Sequence, residues 1–196
     1  MTVRERLGGS PLVKSLSRDR SSDKIVHLVV RNLRKTIDDL EHVKRLLMKR
    51  SEDCQFDDPE PGSGIDDYLF GLYRTCIKAV EDLGHVREFL LNIPARETFP
   101  EVEAFLQELS SIITEIDNVC LDIDSMYITG AYESLLDRVY TVLDRLYKLE
   151  KNKQQIEKVV NKLIETVDTK TAEKIVNMLG HLIEDLTYLS EHRPRT

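Results

Sequence analysis

Two segments of the sequence carry an aspartate and a histidine at the same spacing. IDDLEHVKRLL (residues 37–47) and VEDLGHVREFL (residues 80–90) agree at five of eleven positions, and both contain Asp-x-x-His. Carboxylates and histidines that project inward from paired helices can bind metal ions in a helical bundle, so this repeat could form a metal site. The four residues are Asp39, His42, Asp82 and His85.

Helical geometry argues against that metal site. In a helix, His42 lies about 200° around the axis from the apolar Leu40, and His85 stands in the same relation to Leu83. We therefore expect both histidines on a solvent-facing or second packing surface, and we predict no metal site. The remaining interpretations are an exposed Asp–His pair on each helix, a relic of internal duplication, or a protein-binding face. That face would comprise Asp39, His42, Leu46, Asp82, His85 and Phe89.

Other motifs that carry catalysis are absent or weak. The sequence has no Gly-rich phosphate loop, no His-Glu-x-x-His and no Gly-x-Ser-x-Gly. The Arg-to-His spacing of helical ribonuclease domains occurs once, from Arg20 to His27, but it straddles the expected start of a helix. Four acidic residues could hold a divalent cation, yet they scatter around one predicted helix, which favours a solvated face. They are Glu115, Asp117, Asp122 and Asp124. We predict a non-enzyme with no catalytic residue and no cofactor.

Cysteine usage and hydropathy suit an intracellular protein. The three cysteines, Cys54, Cys76 and Cys120, are odd in number and form no Cys-x-x-Cys, so neither a disulfide framework nor a cysteine zinc site is predicted. No apolar run is long enough for a spanning helix, and the N-terminus lacks the hydrophobic region of a signal peptide. We expect a cytoplasmic protein that is not integral to a membrane.

The elements that must position these residues are helices. Apolar residues recur three or four apart, and no stretch alternates with period two, which predicts an all-α bundle of about five amphipathic helices and no sheet. Residues 1–20 are predicted to be a flexible basic segment, because GGS and SLSRDRSS offer little to bury. Residues 21–196 are predicted to form a single helical domain. Its helices should span about 23–50, 66–92, 100–126, 132–167 and 171–191.

Charge is divided unevenly along the chain. The formal net charge is −7, yet residues 1–50 carry 13 Lys/Arg against 6 Asp/Glu, whereas residues 51–140 carry 5 against 20. A basic front and an acidic middle can attract each other, within one chain or between copies. The basic front could also bind lipid headgroups or nucleic acid. Ordinary solvated helix faces would give the same composition.

The order of these features resembles ESCRT-III proteins, in particular the archaeal cell-division (Cdv) branch. PLVKSL (11–16) and LRKTIDDLEHVKRLLMKRSED (33–53) are similar to the Pro-Leu-Lys segment and the basic first helix of that family. AVEDLGHVREFL (79–90) is similar to its second-helix motif Glu-x-x-x-(Ile/Val)-Arg, with Asp82 in place of the Glu. FPEVEAFLQEL (99–109) is similar to the Pro-Glu start of a following helix. The linker FDDPEPGSG departs from the family, whose hairpin is usually continuous, and no C-terminal motif for a helical MIT domain is matched.

The resemblance implies a non-enzymatic protein that polymerises through long amphipathic helices and lays a basic first helix on an anionic membrane. We therefore expect a homo-oligomeric assembly or adaptor protein that is peripheral to a membrane. The alternatives are a nucleic-acid-associated helical subunit, which the net charge disfavours, and a generic protein-binding bundle. The cations that would face lipid or polymer are Arg31, Arg34, Lys35, Lys44, Arg45, Lys49 and Arg50.

Overall fold

The computed structural model describes residues 11–53, 65–93, 99–129 and 132–167, together with Thr171 and Lys174. Helices make up nearly all of these residues, and no strand occurs among them, which confirms the predicted all-α fold. The five helices are α1 (Pro11–Asp53), α2 (Ile65–Leu91), α3 (Pro100–Thr129), α4 (Tyr132–Lys151) and α5 (Lys153–Glu165).

The first helix begins earlier than predicted. We expected it to start near residue 23, but α1 starts at Pro11, so residues 11–20 of the segment that we expected to be flexible are helical. Proline suits a first helical position, because the N–H that it lacks would have no partner there. Neither Gly nor Pro occurs in residues 12–53, so nothing in the chain ends the helix sooner. Residues 1–10 of the predicted segment lie outside the described residues.

The predicted fourth helix is divided at Asn152. The Asn152 N–H is shared between two carbonyls of the preceding turn at 3.2 Å each, and its side chain accepts a hydrogen bond from the Gln155 N–H at 3.2 Å. Asn152 therefore ends α4 and caps α5, a role for which asparagine is among the favoured residues. A continuous helix over 132–167 was thus wrong at this one residue. The predicted helix at 171–191 lies almost wholly outside the described residues.

The helices form an up-and-down bundle in which α4 and α5 together make the fourth limb. α1 packs against α2 and against α4 and α5, and α3 packs against the same neighbours. The Tyr68 hydroxyl donates to the Leu46 carbonyl at 3.0 Å, and Lys78 Nζ lies 3.0 Å from Asp39 Oδ1, so α1 and α2 run antiparallel. α1 and α3 therefore occupy opposite corners of the bundle, an arrangement typical of four-helix bundles with short connections.

One apolar core runs the length of the bundle. α1 contributes a buried stripe from Ile25 to Leu47, and α3 contributes one from Val102 to Ile123. Each fully buried side chain of this kind stabilises the fold by roughly 1.5–3 kcal/mol relative to an exposed one. Two buried polar side chains of α1 form hydrogen bonds within the helix. Asn32 Nδ2 donates to the Leu28 carbonyl, and Thr36 Oγ1 donates to the Asn32 carbonyl, both at 3.0 Å.

Candidate interaction surfaces

The solvent-facing side of α1 is strongly basic. Leu33, Leu40 and Leu47 are buried on one side of the helix. The opposite side carries six lysines or arginines, two histidines and two exposed aspartates, Asp23 and Asp38. Each of the six cations stands three, four, seven or eleven residues from another member, which keeps them on one face over roughly seven turns. We call this surface the α1 basic face; it comprises Lys24, Arg31, Arg34, Lys35, Arg45 and Lys49.

Most of these cations are available to a partner. Arg34 Nε lies 2.7 Å from Glu150 Oε1, and Arg34 is the one member of the face with an ion pair inside the described part of the chain. The Arg34 side chain is 67% exposed, so that pair contributes little to stability. Lys24 was missed by the sequence analysis, although it stands seven residues, two helical turns, before Arg31.

Two predicted cations do not belong to this face. Lys44 lies in the groove between α1 and α4, where it pairs with Glu41 and its Nζ sits 5.5 Å from the centroid of the Tyr140 ring. The hydrogen bond from Lys44 lowers the pKa of Glu41. One residue step turns a helix by about 100°, so a position at the edge of the face cannot be assigned from sequence alone. Arg50 lies in α1, but its side chain falls outside the described residues.

The repeated Asp-x-x-His segments lie side by side without forming a site. His42 and His85 are exposed, as the helical geometry predicted. The Lys78–Asp39 pair sets the antiparallel register of α1 and α2. In that register His42 lies level with residue 75 of α2, so it is about 15 Å from His85 along the bundle axis. In the described residues no group of three or more His, Cys, Asp or Glu side chains is arranged to hold a metal ion.

The two aspartates of the repeat belong to the contact between α1 and α2. Asp39 Oδ1 accepts from Lys78, whereas the buried Oδ2 atoms of Asp39 and Asp82 accept no hydrogen bond. The antiparallel register sets Lys35 level with Asp82, so the repeat places an Asp and a Lys at matching positions of both helices. Leu46 and Phe89 are half-buried against the core. The six residues predicted as one protein-binding face are therefore divided between an interior contact and two separate exposed histidines.

The outer side of α3 is acidic. α3 contains seven Asp/Glu and no Lys or Arg. Asp122 Oδ2 lies 2.5 Å from Arg138 Nη1, and Glu108 Oε1 lies 3.0 Å from Arg145, so the side of α3 that faces α4 is neutralised. Of the residues weighed as a cation site, Glu115 and Asp117 are exposed, Asp122 is paired, and the side chain of Asp124 is not described. We call the two unpaired residues that stand fourteen positions apart on one side the α3 acidic face: Glu103 and Asp117; Glu115 projects to a different side.

Glu101 joins α3 to α5 at one end of the bundle. Its Oε1 lies 2.7 Å from Lys162 Nζ and 3.3 Å from Lys158 Nζ. The Lys162 hydrogen bond, with help from the backbone and Lys158, lowers the pKa of Glu101 to about 2. Lys162 Nζ also sits 5.1 Å from the centroid of the Phe99 ring.

An exposed apolar patch lies along α2 and α3. Phe70, Tyr73 and Ile77 are spaced to share one side of α2, and Leu121 of α3 is 69% exposed. Arg87 donates to Ser110 across the two helices at 2.5 Å. Tyr73 lies fourteen residues before Arg87, which is about four helical turns, and Leu121 lies eleven residues after Ser110, which is about three. Both therefore lie on the sides where α2 and α3 meet. We call these four residues the α2–α3 apolar patch.

Two shallow grooves lie in the described surface. One groove of about 380 Å³ between α3 and α4 contains Glu108 and Arg145, which neutralise each other. Another of about 330 Å³ between α2 and α3 is lined mainly by apolar atoms around Leu91 and Leu106. The second groove also contains Glu103 and Ser110, and the Ser110 hydroxyl accepts from Arg87 and donates to the Leu106 carbonyl.

None of the described helices is both long enough and apolar enough to cross a membrane. No protein-family model matches the chain, and no curated protein or solved structure is significantly similar to it.

Proposed function

We propose that the protein is a non-enzymatic helical assembly protein of the ESCRT-III-like type, which binds an anionic membrane surface through the α1 basic face. The observation that carries this proposal is the charge of that face, where six lysines or arginines stand against two aspartates. The antiparallel packing of α1 and α2 supports it as well, because the family resemblance implies a hairpin of a basic first helix with a second helix.

The size and charge of the face suit a flat anionic partner. Lys24 and Lys49 are separated by about 38 Å along the helix, at 1.5 Å per residue. Each cation near an anionic leaflet contributes about 1 kcal/mol, so the five without an ion pair supply roughly 5 kcal/mol of attraction. No charged side chain needs to leave water for this, because the headgroups come to an exposed ridge.

The opposite corner of the bundle sets the orientation and leaves a face for assembly. The α3 acidic face is repelled by anionic lipid, so α3 points away from the membrane. The α2–α3 apolar patch then remains accessible to a second copy of the chain. Arg74 is exposed at one edge of the patch and Asp117 at the other. Two copies related by a twofold axis would set each cationic edge against an acidic one.

Liposome co-sedimentation tests the membrane contact. The variant carries Arg31→Gln, Arg45→Gln and Lys49→Gln, and binding to vesicles containing phosphatidylserine should weaken on the order of 100-fold, since about 3 kcal/mol is removed. The matched control carries Glu103→Gln, Glu115→Gln and Asp117→Asn in α3 and should bind at least as tightly as the wild type. Equal binding by both variants, or equal binding to neutral phosphatidylcholine vesicles, would refute the proposal.

Nucleic acid is the competing anionic partner for the same face. α1 contains no Phe, Tyr or Trp, so the face lacks the large aromatic side chains on which unpaired bases typically stack. The same pair of variants decides between the partners. Salt-dependent gel retardation of RNA or DNA that is lost in the α1 variant, without any binding to vesicles, would replace the membrane with nucleic acid.

A further inference from the structure

Two cysteines that are distant in sequence face each other in the core. Cys76 of α2 is fully buried, and Cys120 of α3 is 6% exposed. The Arg87–Ser110 hydrogen bond fixes the register of the two antiparallel helices. Eleven residues back along α2 and ten residues forward along α3 lead to the same level of the bundle, so the two buried cysteines lie opposite each other between the helices.

The spacing of packed helices permits a bond between them. Helix axes pack 8–10 Å apart and each Cα lies about 2.3 Å from its axis, so directly facing Cα atoms are roughly 3.5–5.5 Å apart. A disulfide requires Cα atoms about 4.4–6.8 Å apart, and the two ranges overlap. Both helices can therefore accept the bond with small side-chain rotations.

The two thiols differ in reactivity. The hydrogen bond with Cys120 and burial raise the pKa of Cys76, and the charge of Asp39 on α1 raises it further. The same hydrogen bond lowers the pKa of Cys120, against the opposing effects of burial and of Asp117. Because the thiolate is the nucleophile, Cys120 is the thiol that reacts first and Cys76 is the one that resolves.

We propose that Cys76 and Cys120 form an oxidation site, in which a peroxide converts the two thiols into a reversible disulfide that joins α2 to α3. The Cys120 sulfur attacks one peroxide oxygen, the O–O bond breaks, and a sulfenic acid and one water form. The Cys76 sulfur then attacks the sulfenic sulfur, the S–O bond breaks, and a second water leaves. The two thiols give up two electrons and two protons, and the peroxide is reduced to two waters.

The bond would act on the surface above it. Tyr73 and Ile77 flank Cys76, and Leu121 follows Cys120, so three members of the α2–α3 apolar patch stand next to the two cysteines. The disulfide holds α2 and α3 at one spacing and fixes the relative position of these side chains. This site is separate from the α1 basic face, so the result of its test does not depend on whether the membrane contact exists.

The experiment uses the full chain with Cys54→Ser, because Cys54 lies outside the described residues and could exchange with the pair. The folded protein is treated with hydrogen peroxide, blocked at free thiols, digested with trypsin and analysed by mass spectrometry. We expect a cross-linked species that joins TCIK (75–78) to residues 97–138, lost on treatment with dithiothreitol. The melting temperature should rise by about 5–10 °C on oxidation.

Matched variants decide the outcome. Cys76→Ala should leave Cys120 as a sulfenic or more highly oxidised acid, and Cys120→Ala should leave the Cys76 thiol unmodified at the same peroxide concentration. The proposal is overturned if both thiols stay free in the folded Cys54→Ser protein. It is also overturned if Cys120 oxidises without forming the cross-link, or if the cross-link forms only in denaturant or lowers the melting temperature.

Discussion

α1 and α3 each bury an apolar stripe in the core, but the charges on their surfaces are opposite. Leu33 and Leu40 of α1 and Leu109 and Ile112 of α3 are all fully buried. Yet α1 carries eleven Lys/Arg against seven Asp/Glu, whereas α3 carries seven Asp/Glu and no Lys or Arg. The two helices stand at opposite corners of the bundle, so the molecule has a basic side and an acidic side.

The difference shows that core packing and surface charge are encoded by separate residues of the same helix. Neighbouring axes 8–10 Å apart give a diagonal of roughly 11–14 Å, and the charged side chains extend beyond it. That separation exceeds the Debye length of about 8 Å at physiological salt, so the two faces hardly neutralise each other through solvent. The basic and acidic faces therefore keep separate electrostatic fields of opposite sign.

The largest expected effect tests whether the two helices are equal in the core. Leu33→Ala and Leu109→Ala should each lower the free energy of unfolding by about 2–5 kcal/mol, because both side chains are fully buried and leave a cavity. Urea denaturation followed by circular dichroism measures both. Leu121→Ala, at a position 69% exposed, serves as the control and should change stability by less than about 0.5 kcal/mol. A cost below about 1 kcal/mol for either buried leucine would break the equivalence.

A smaller effect tests Asp39, an acidic residue of α1 that faces α2. Lys78→Ala removes the one side-chain hydrogen bond that Asp39 accepts within the described residues. The Asp39 side chain is 15% exposed, so the loss should cost about 1–2 kcal/mol. The added change Asp39→Asn should recover part of that loss, since it removes the unpaired charge. Lys148→Ala is the control, because its pair with Asp144 is exposed and should contribute less than about 0.5 kcal/mol. Equal costs for the two lysines would show that the Asp39 contact is an ordinary surface pair.

The smallest effect is a pH dependence at the end of α3. The pKa of Glu101 is lowered to about 2 in the folded chain, so its stabilisation is present above the ordinary carboxyl pKa of 4.5 and is lost as the pH falls towards 2. Glu101→Gln should therefore lose less stability than the wild type between pH 5 and pH 2.5, measured as the urea midpoint. Lys162→Met should reduce the pH dependence in the same direction. Wild-type pH dependence in Glu101→Gln would exclude this contribution.

The all-α fold and the exposure of His42 and His85 could be predicted, because both follow from the period of a single helix. The early start of α1 at Pro11 could not, since a polar segment such as SLSRDRSS is compatible with either coil or helix until its neighbours are known. The break between α4 and α5 occurs where the Asn152 N–H is shared between two carbonyls. No proline or glycine lies near this position, so the sequence gives no strong signal that a helix ends there. The facing of Cys76 and Cys120 depends on the register between helices, which tertiary contacts set and periodicity does not encode.

The up-and-down order of the limbs governs the sequence in which the chain can fold. The Arg87–Ser110 contact joins residues 23 apart, whereas the Arg34–Glu150 contact joins residues 116 apart. Closing the longer loop in a disordered chain costs about 1–2 kcal/mol more in entropy. Once α1 has paired with α2, and α2 with α3, the loop that remains to be closed for the fourth limb is effectively short. The hairpins should therefore assemble in succession, and the contact of α1 with α4 and α5 should close the bundle last.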